Sequence, residues 1–267
     1  MPIYQSDHKL KIHYRDENPQ GERTVVLLHG LGASGDSWIL QFPALTAAGY
    51  RCLAPDGRGF GRSTYPGGAV SPAVMAGDLN LLLEHLRIEQ AAVVGISMGG
   101  ATALQFALDH PVRVERLVLV NTFAHLQADK LSQWFYFLLR QLLVHTLGLE
   151  AQAKAVAGRV FPHPDQGILR EQLIAQIRQA TPRAYRSAMR QLPRFDVQTR
   201  LAEIHLPTLV LTGAADSTVL PARQAALVQD IPGAQQVIIP AAGHAVSVDQ
   251  PEAFNQALLA FLKQPIL

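Results

Sequence analysis

Apolar residues recur along this chain with two periods, and the two take turns. Residues 9–15 alternate, with Leu10, Ile12 and Tyr14 on one side, the pattern of a half-exposed strand. Residues 24–28, 51–54, 91–94, 117–120, 208–211 and 236–239 are instead continuous apolar runs. Such runs suit strands covered on both faces, the habit of parallel sheets. Helical patterns separate them. Asp36 or Ser37 caps a predicted helix running to about Ala48. Ser71-Pro72 supplies a cap followed by proline at the first helical position, opening a helix to about Leu86. Residues 98–108 read as helix and stop before His110-Pro111. Pro221 opens a helix to about Val228, and Asp249 with Glu252 has capping-box spacing ahead of a final helix to about Lys263. Strand and helix in alternation predict βαβ units, hence an α/β fold with a mostly parallel central sheet and helices on both faces.

One stretch breaks the alternation. Between about 122 and 197 no strand-like run occurs, and helical patterns fill 130–147, 151–160, 168–180 and 182–191, punctuated by Gly148, Pro162, Pro164, Pro182 and Pro193. The expected organisation is a core of residues 1–121 and 196–267 interrupted by an all-helical insertion, residues 122–195. The first insertion helix is apolar on most of its circumference, with Leu131, Trp134, Phe135, Leu138, Leu139 and Leu142 among its residues. A helix buried on one side needs a narrower stripe. A second covering surface is therefore expected, either a partner copy in a homo-oligomer or, favoured here, a substrate pocket walled by Trp134 and Phe135.

Composition narrows the class. At 267 residues the chain suits one large domain, or one domain with an insertion, and 48% hydrophobic against 16% charged residues excludes disorder. A formal charge of +2, from 23 basic and 21 acidic side chains, is too balanced for an electrostatic nucleic-acid binder. The single cysteine, Cys52, excludes an internal disulfide framework and a cysteine metal cluster; in a strand it reads as a small buried apolar group. The greasiest stretch, 131–149, is interrupted by Gln133, Arg140, Gln141 and His145, short of a membrane span. The first residues lack the basic and apolar regions of a signal peptide, so a cytoplasmic protein that does not engage membranes is expected.

The chemistry concentrates at strand ends. Gly95-Ile96-Ser97-Met98-Gly99 fits G-x-S-x-G, and a buried strand precedes it while a helix follows. The serine needs this tight turn to project its oxygen at the carboxyl edge of the sheet, and the glycines let neighbouring backbone approach. A nucleophilic serine also needs a base and a group that orients the base. His244, in Gly243-His244 just past the run 236–239, is the candidate base; Asp216, just past the run 208–211, is the candidate orienter. The order Ser97, Asp216, His244 is the one expected of this triad in an α/β sheet. The backbone N–H groups of Met98 and of Leu31, in His29-Gly30-Leu31-Gly32, are candidate oxyanion donors. His29 itself reads as a loop-fixing side chain, as do Asp56 and Arg58. Gly57-Arg58-Gly59-Phe60-Gly61 lacks the spacing of a dinucleotide loop, and no His, Asp and Glu set has zinc-ligand spacing. No cofactor and no metal are therefore expected.

These motifs resemble the α/β-hydrolase superfamily, in its branch with a helical cap. The resemblance covers about residues 9–121 and 196–263 and rests on His29-Gly30, the run from Asp56 to Ser63, Gly95 to Gly99, Gly213 to Asp216, and Gly243-His244. It implies the α/β-hydrolase fold and a cap, formed by the insertion, over the site. Serine at position 97, where some relatives carry aspartate, speaks against similarity to haloalkane dehalogenases and epoxide hydrolases. Asn121 and Thr122 stand where other relatives keep the triad acid, and neither can serve, which favours Asp216. The expected activity is hydrolysis of a small to medium, largely uncharged carboxylic ester or lactone through an acyl-enzyme. The resemblance also leaves open a carbon–carbon (dienoate) hydrolase or perhydrolase using the same triad, and a ligand receptor with slow turnover.

Overall fold

The structure, a computed structural model, describes residues 2–5, 9–126 and 131–265, without the side chains of 131–137 and 141. In chain order the strands are β1 (Ile3–Gln5), β2 (Lys11–Glu17), β3 (Arg23–Leu28), β4 (Tyr50–Pro55), β5 (Ala91–Ile96), β6 (Val114–Val120), β7 (Thr208–Gly213) and β8 (Gln235–Ile239). They form one eight-stranded sheet in the order β1-β2-β4-β3-β5-β6-β7-β8. β2 runs antiparallel to β1 and β4; every other neighbouring pair is parallel. The helices are α1 (Phe42–Ala47), α2 (Pro72–His85), α3 (Met98–Asp109), α4 (Leu131–Thr146), α5 (Gly148–Val160), α6 (Gly167–Gln179), α7 (Pro182–Gln191), α8 (Pro221–Asp230), α9 (Val246–Asp249) and α10 (Pro251–Leu262).

The continuous apolar runs are explained by two cores, one on each face of the sheet. Val26 and Leu28 of β3 face a cluster containing Leu79 and Leu82 of α2 and Leu104 of α3. Val25 and Leu27, one residue out of phase, face Trp38, Phe42 of α1, and Phe254 and Phe261 of α10. Period-two geometry sends successive side chains to opposite faces, so a strand between two helical layers needs apolar residues at every position. β8 departs from this expectation. It is the last strand of the sheet, and its Ile238 is 56% exposed.

Two helix boundaries differ from the sequence pattern. The helix expected from about residue 36 to 48 is a short 3-10 turn at residues 35–38 followed by α1, with Pro43 in the first turn of α1. A single helix would have placed Pro43 in its interior, where the ring clashes with the carbonyl four residues earlier. The final helix begins after Gln250, and no side chain caps it. Asp249 does not cap it: its carboxylate accepts hydrogen bonds from Gly243 N–H (2.9 Å) and Gln166 Nε2 (3.1 Å). By contrast, Ser71 caps α2 as expected, its Oγ accepting from Val74 N–H at 3.3 Å.

Between β6 and β7 the regular structure of the described residues is helical, apart from the single bridge between His125 and Asp196. α4 does not turn a second apolar face onto a pocket over its described part. Leu138, Leu139 and Leu142 are each half exposed or more, while Val144 is buried, and α4 packs against α5 and α7. Trp134 and Phe135 lie on this helix, but their side chains fall outside the described residues. Among the described residues no helix is long and apolar enough to cross a membrane.

Cys52 lies fully buried in β4, and burial pushes its thiol up to about 12. Only the thiolate reacts readily. Native protein should therefore leave Ellman's reagent unreacted over an hour at pH 8, with one equivalent released after guanidinium denaturation. Release from the native protein would place the thiol at the surface.

Candidate active site

The turn from β5 into α3 is shaped by close backbone approach. A Cβ on Gly95 would stand 2.2 Å from Gly99 O, and one on Gly99 would stand 2.2 Å from Leu28 O. Only glycine fits either position. Between them Ser97 holds φ 54° and ψ −116°, a strained conformation for a residue with a side chain. Its own backbone bonds hold it there. Ser97 N–H donates to Val120 O (3.0 Å), while Ser97 O accepts from Ala101 N–H (3.0 Å) and from Thr122 Oγ1 (2.7 Å). Such strain, of order 1–3 kcal/mol, persists only where surroundings over-determine it, and it turns the side chain off the sheet edge.

Asp216 and His244 meet directly. Nδ1 of His244 lies 2.9 Å from Oδ2 of Asp216. A carboxylate only accepts, so Nδ1 carries a proton, and in the neutral ring that tautomer leaves the lone pair on Nε2. Asp216 Oδ1 accepts from the N–H groups of Thr218 (2.7 Å) and Val219 (3.0 Å), and the residue is 2% exposed. Both of its oxygens are thus occupied by donors that fix its orientation.

Ser97 and His244 line one cavity of about 520 Å³, between the carboxyl edge of the sheet and the helices of the insertion. Leu31 lines it from the loop after β3, and Leu126, Val156, Val160, Leu169 and Leu173 form much of the wall opposite. Met98 is the first residue of α3, so its N–H has no acceptor within the helix. Three arginines, Arg140, Arg159 and Arg223, also reach the cavity. Each has partners within the chain: Tyr185 Oη for Arg140, Ser217 O for Arg159 and His125 O for Arg223.

The loops behind the cavity are held by buried polar groups. His29 bonds Gly30 O through Nδ1 (2.8 Å) and accepts Gly57 N–H at Nε2 (2.9 Å); burial pushes its pKa down, so the ring is a neutral tie. Asp56 accepts N–H groups from Gly35 (2.7 Å) and Arg62 (2.9 Å) and contacts His13 Nδ1 (3.1 Å). Arg58 pairs with Asp78 through two nitrogens. Burial raises the Asp78 and Asp249 carboxyls above the usual range. Sequence reasoning did not anticipate Asn121 as part of this site. It is fully buried with φ 42°, and its Oδ1 accepts from Gly213 N–H (2.8 Å). Its Nδ2 donates to Gly243 O (2.9 Å) and His244 O (2.8 Å). Its identity as the residue after a buried strand was the one available signal, and its partners lie far along the chain. Among the described residues no group of three or more His, Cys, Asp or Glu is placed to hold a metal ion.

A mostly parallel sheet in this order, with a serine on a strained strand-to-helix turn and a histidine–carboxylate pair at neighbouring strand ends, defines a class of hydrolases. Residues 23–251 match the family model for the alpha/beta hydrolase fold, and the chain belongs to that family. It is a hydrolase. It is 33% identical over 253 residues to "Putative carbamate hydrolase RutD" of Caulobacter sp. (strain K31), covering 91% of this chain and 92% of the relative. To 3-oxoadipate enol-lactonase 2 of Acinetobacter baylyi it is 31% identical over 272 residues, covering 99% of each. The crystal structure of the enol-lactonase from Burkholderia xenovorans LB400 superposes with a TM-score of 0.89 at 28% identity, covering 98% of this chain and 100% of that one.

Proposed function

We propose that the chain hydrolyses carboxylic esters or lactones by acyl transfer to Ser97. The observation that carries the reading is the 2.9 Å contact from His244 Nδ1 to Asp216, with Ser97 and His244 lining one cavity. Ser97 Oγ attacks the carbonyl carbon while His244 Nε2 takes its proton. Asp216 holds the imidazole in this tautomer and stabilises the imidazolium. The carbonyl oxygen becomes an oxyanion received by the N–H groups of Leu31 and Met98. The tetrahedral intermediate collapses as His244 protonates the leaving alkoxide; in a lactone the alcohol stays tethered to the acyl group. Water, deprotonated by His244, then attacks the acyl-enzyme, and Ser97 leaves with its proton restored. A 3-oxoadipate enol-lactonase and an enol-lactonase among the similar proteins support the ester and lactone reading.

The size of the cavity and its largely aliphatic wall favour small to medium acyl groups. A second reading concerns charge. Arg140, Arg159 and Arg223 on the cavity lining favour a substrate that carries a carboxylate away from the scissile bond, rather than a wholly uncharged one. The test is a panel of esters and lactones of graded chain length, each in a neutral form and a form with a terminal carboxylate, with a carbamate included. Sustained multiple turnover of an ester or lactone is expected. A single burst followed by a stable complex would point to a receptor, and turnover of the carbamate alone would overturn the ester reading.

A further inference from the structure

We infer that Asn121 is a positioning residue for the hydrolytic reaction, setting the distance between the loop that carries Asp216 and the loop that carries His244; this rests on the triad reading above. The two loops leave different strands, β7 and β8, and the histidine–carboxylate contact spans the gap between them. Asn121, at the end of β6, is bonded to both. Its carboxamide oxygen holds Gly213 N–H, at the base of the acid loop, and its carboxamide nitrogen holds the carbonyls of Gly243 and His244 itself. One planar group thus bears on the start of one loop and on the backbone of the proposed base. The bonds are 2.8–2.9 Å and the side chain is fully buried, so no water competes for them.

The residue type follows from these demands. A carboxamide supplies an acceptor and two donors on a short stem, which a carboxylate or hydroxyl does not. The backbone at φ 42° lies in the left-handed region that asparagine tolerates better than most residues. The neighbouring glycines are fitted to the same arrangement: a Cβ on Gly213 would stand 2.4 Å from Gly243 O, so the loops already touch backbone to backbone. On its other side the histidine loop is held by Asp249, through Gly243 N–H; among the described residues His244 faces the carboxylates of Asp216 and Asp249, His163 stands near Asp249, and Asp36, Arg140, Arg159 and Arg223 line the same cavity. Asn121 touches no reacting atom. It acts on the reaction by where it holds the imidazole.

The experiment compares Asn121→Ala and the nearly isosteric Asn121→Asp with the parent protein, counting functional sites by fluorophosphonate titration. Asn121→Asp retains an acceptor for Gly213 N–H but offers the histidine loop one O–H donor at most in place of two N–H donors. Misplacing a catalytic group by about 1 Å can cost about 100-fold, so kcat per titrated site should fall about 10- to 100-fold in both variants. KM should stay within about threefold, because no substrate contact is removed. In Asn121→Asp the acidic limb of the kcat/KM profile should also move, since a carboxyl buried against the Gly243 and His244 carbonyls titrates in coupling with the imidazole. A merely structural asparagine would lower the number of titratable sites and leave kcat per site and the pH limb unchanged; that result overturns the inference. Ser97→Ala is assayed alongside. If it stays active, the triad reading itself has failed; if it is inactive while Asn121→Asp matches the parent per site, the inference about Asn121 alone has failed.

Discussion

Ser97→Ala should lower turnover of the preferred ester by a factor on the order of 10⁴ or more, since losing the nucleophile of such a unit costs nearly as much as losing the whole triad. The folded protein should survive. The backbone bonds that hold the strained turn come from Ser97 N–H and Ser97 O, and alanine keeps both. Thermal unfolding should therefore shift by an amount corresponding to about 1 kcal/mol or less. A fluorophosphonate should label the parent once, at Ser97, and not label the variant. Labelling that persists in Ser97→Ala would place the nucleophile elsewhere.

Asp216→Asn should be nearly as damaging, about 10⁴ in kcat by comparison with the protease triad. The reason lies in what already surrounds the carboxylate. Two N–H groups, from Thr218 and Val219, point at Oδ1. An asparagine here keeps its oxygen toward them and turns its NH₂ to His244. That group donates, so Nδ1 of the imidazole must accept, and the ring proton moves to Nε2, the nitrogen that has to receive the proton of Ser97. Volume is unchanged, so the fold should persist. Asp196→Asn is the control: this carboxylate contacts His125 at 3.1 Å and is about half exposed, and its loss should leave kcat within about twofold. Near-normal turnover in Asp216→Asn with loss in Asp196→Asn would reassign the orienting acid.

Much of this molecule could be read from its residues because the relevant signals are local. The buried strands announce themselves as unbroken apolar runs, and the elbow as glycines at a fixed spacing between a strand and a helix. Asp216 and His244 followed from their places after such runs. What escaped was whatever depends on packing between distant segments. Pro43 sits inside a plausible helical pattern, and only the cost of burying its ring mid-helix splits it. Asp249 has the spacing of a capping box with Glu252, yet its carboxylate serves Gly243 and Gln166, which no periodicity reveals. The apolar circumference of α4 suggested a second covered face, and among the described residues of this chain nothing covers Leu138, Leu139 and Leu142, so any cover for them comes from a partner copy rather than from the pocket. Composition cannot say which side of a helix finds a neighbour. Asn121 was noticed only for what it cannot do, because its three partners come from loops about 90 and 120 positions further along.

The placement of the three proposed catalytic side chains also governs when reactivity can arise during synthesis. The strained turn at Ser97 is made by β3, β5, β6 and α3, all from the first half of the chain. The histidine and its carboxylate arrive only with β7 and β8, at the edge of the sheet added last. A chain emerging from the ribosome therefore carries the serine without its proposed base until nearly all of the protein has been made and the final strands have docked. Truncated or stalled products that end before β8 share that lack of a base.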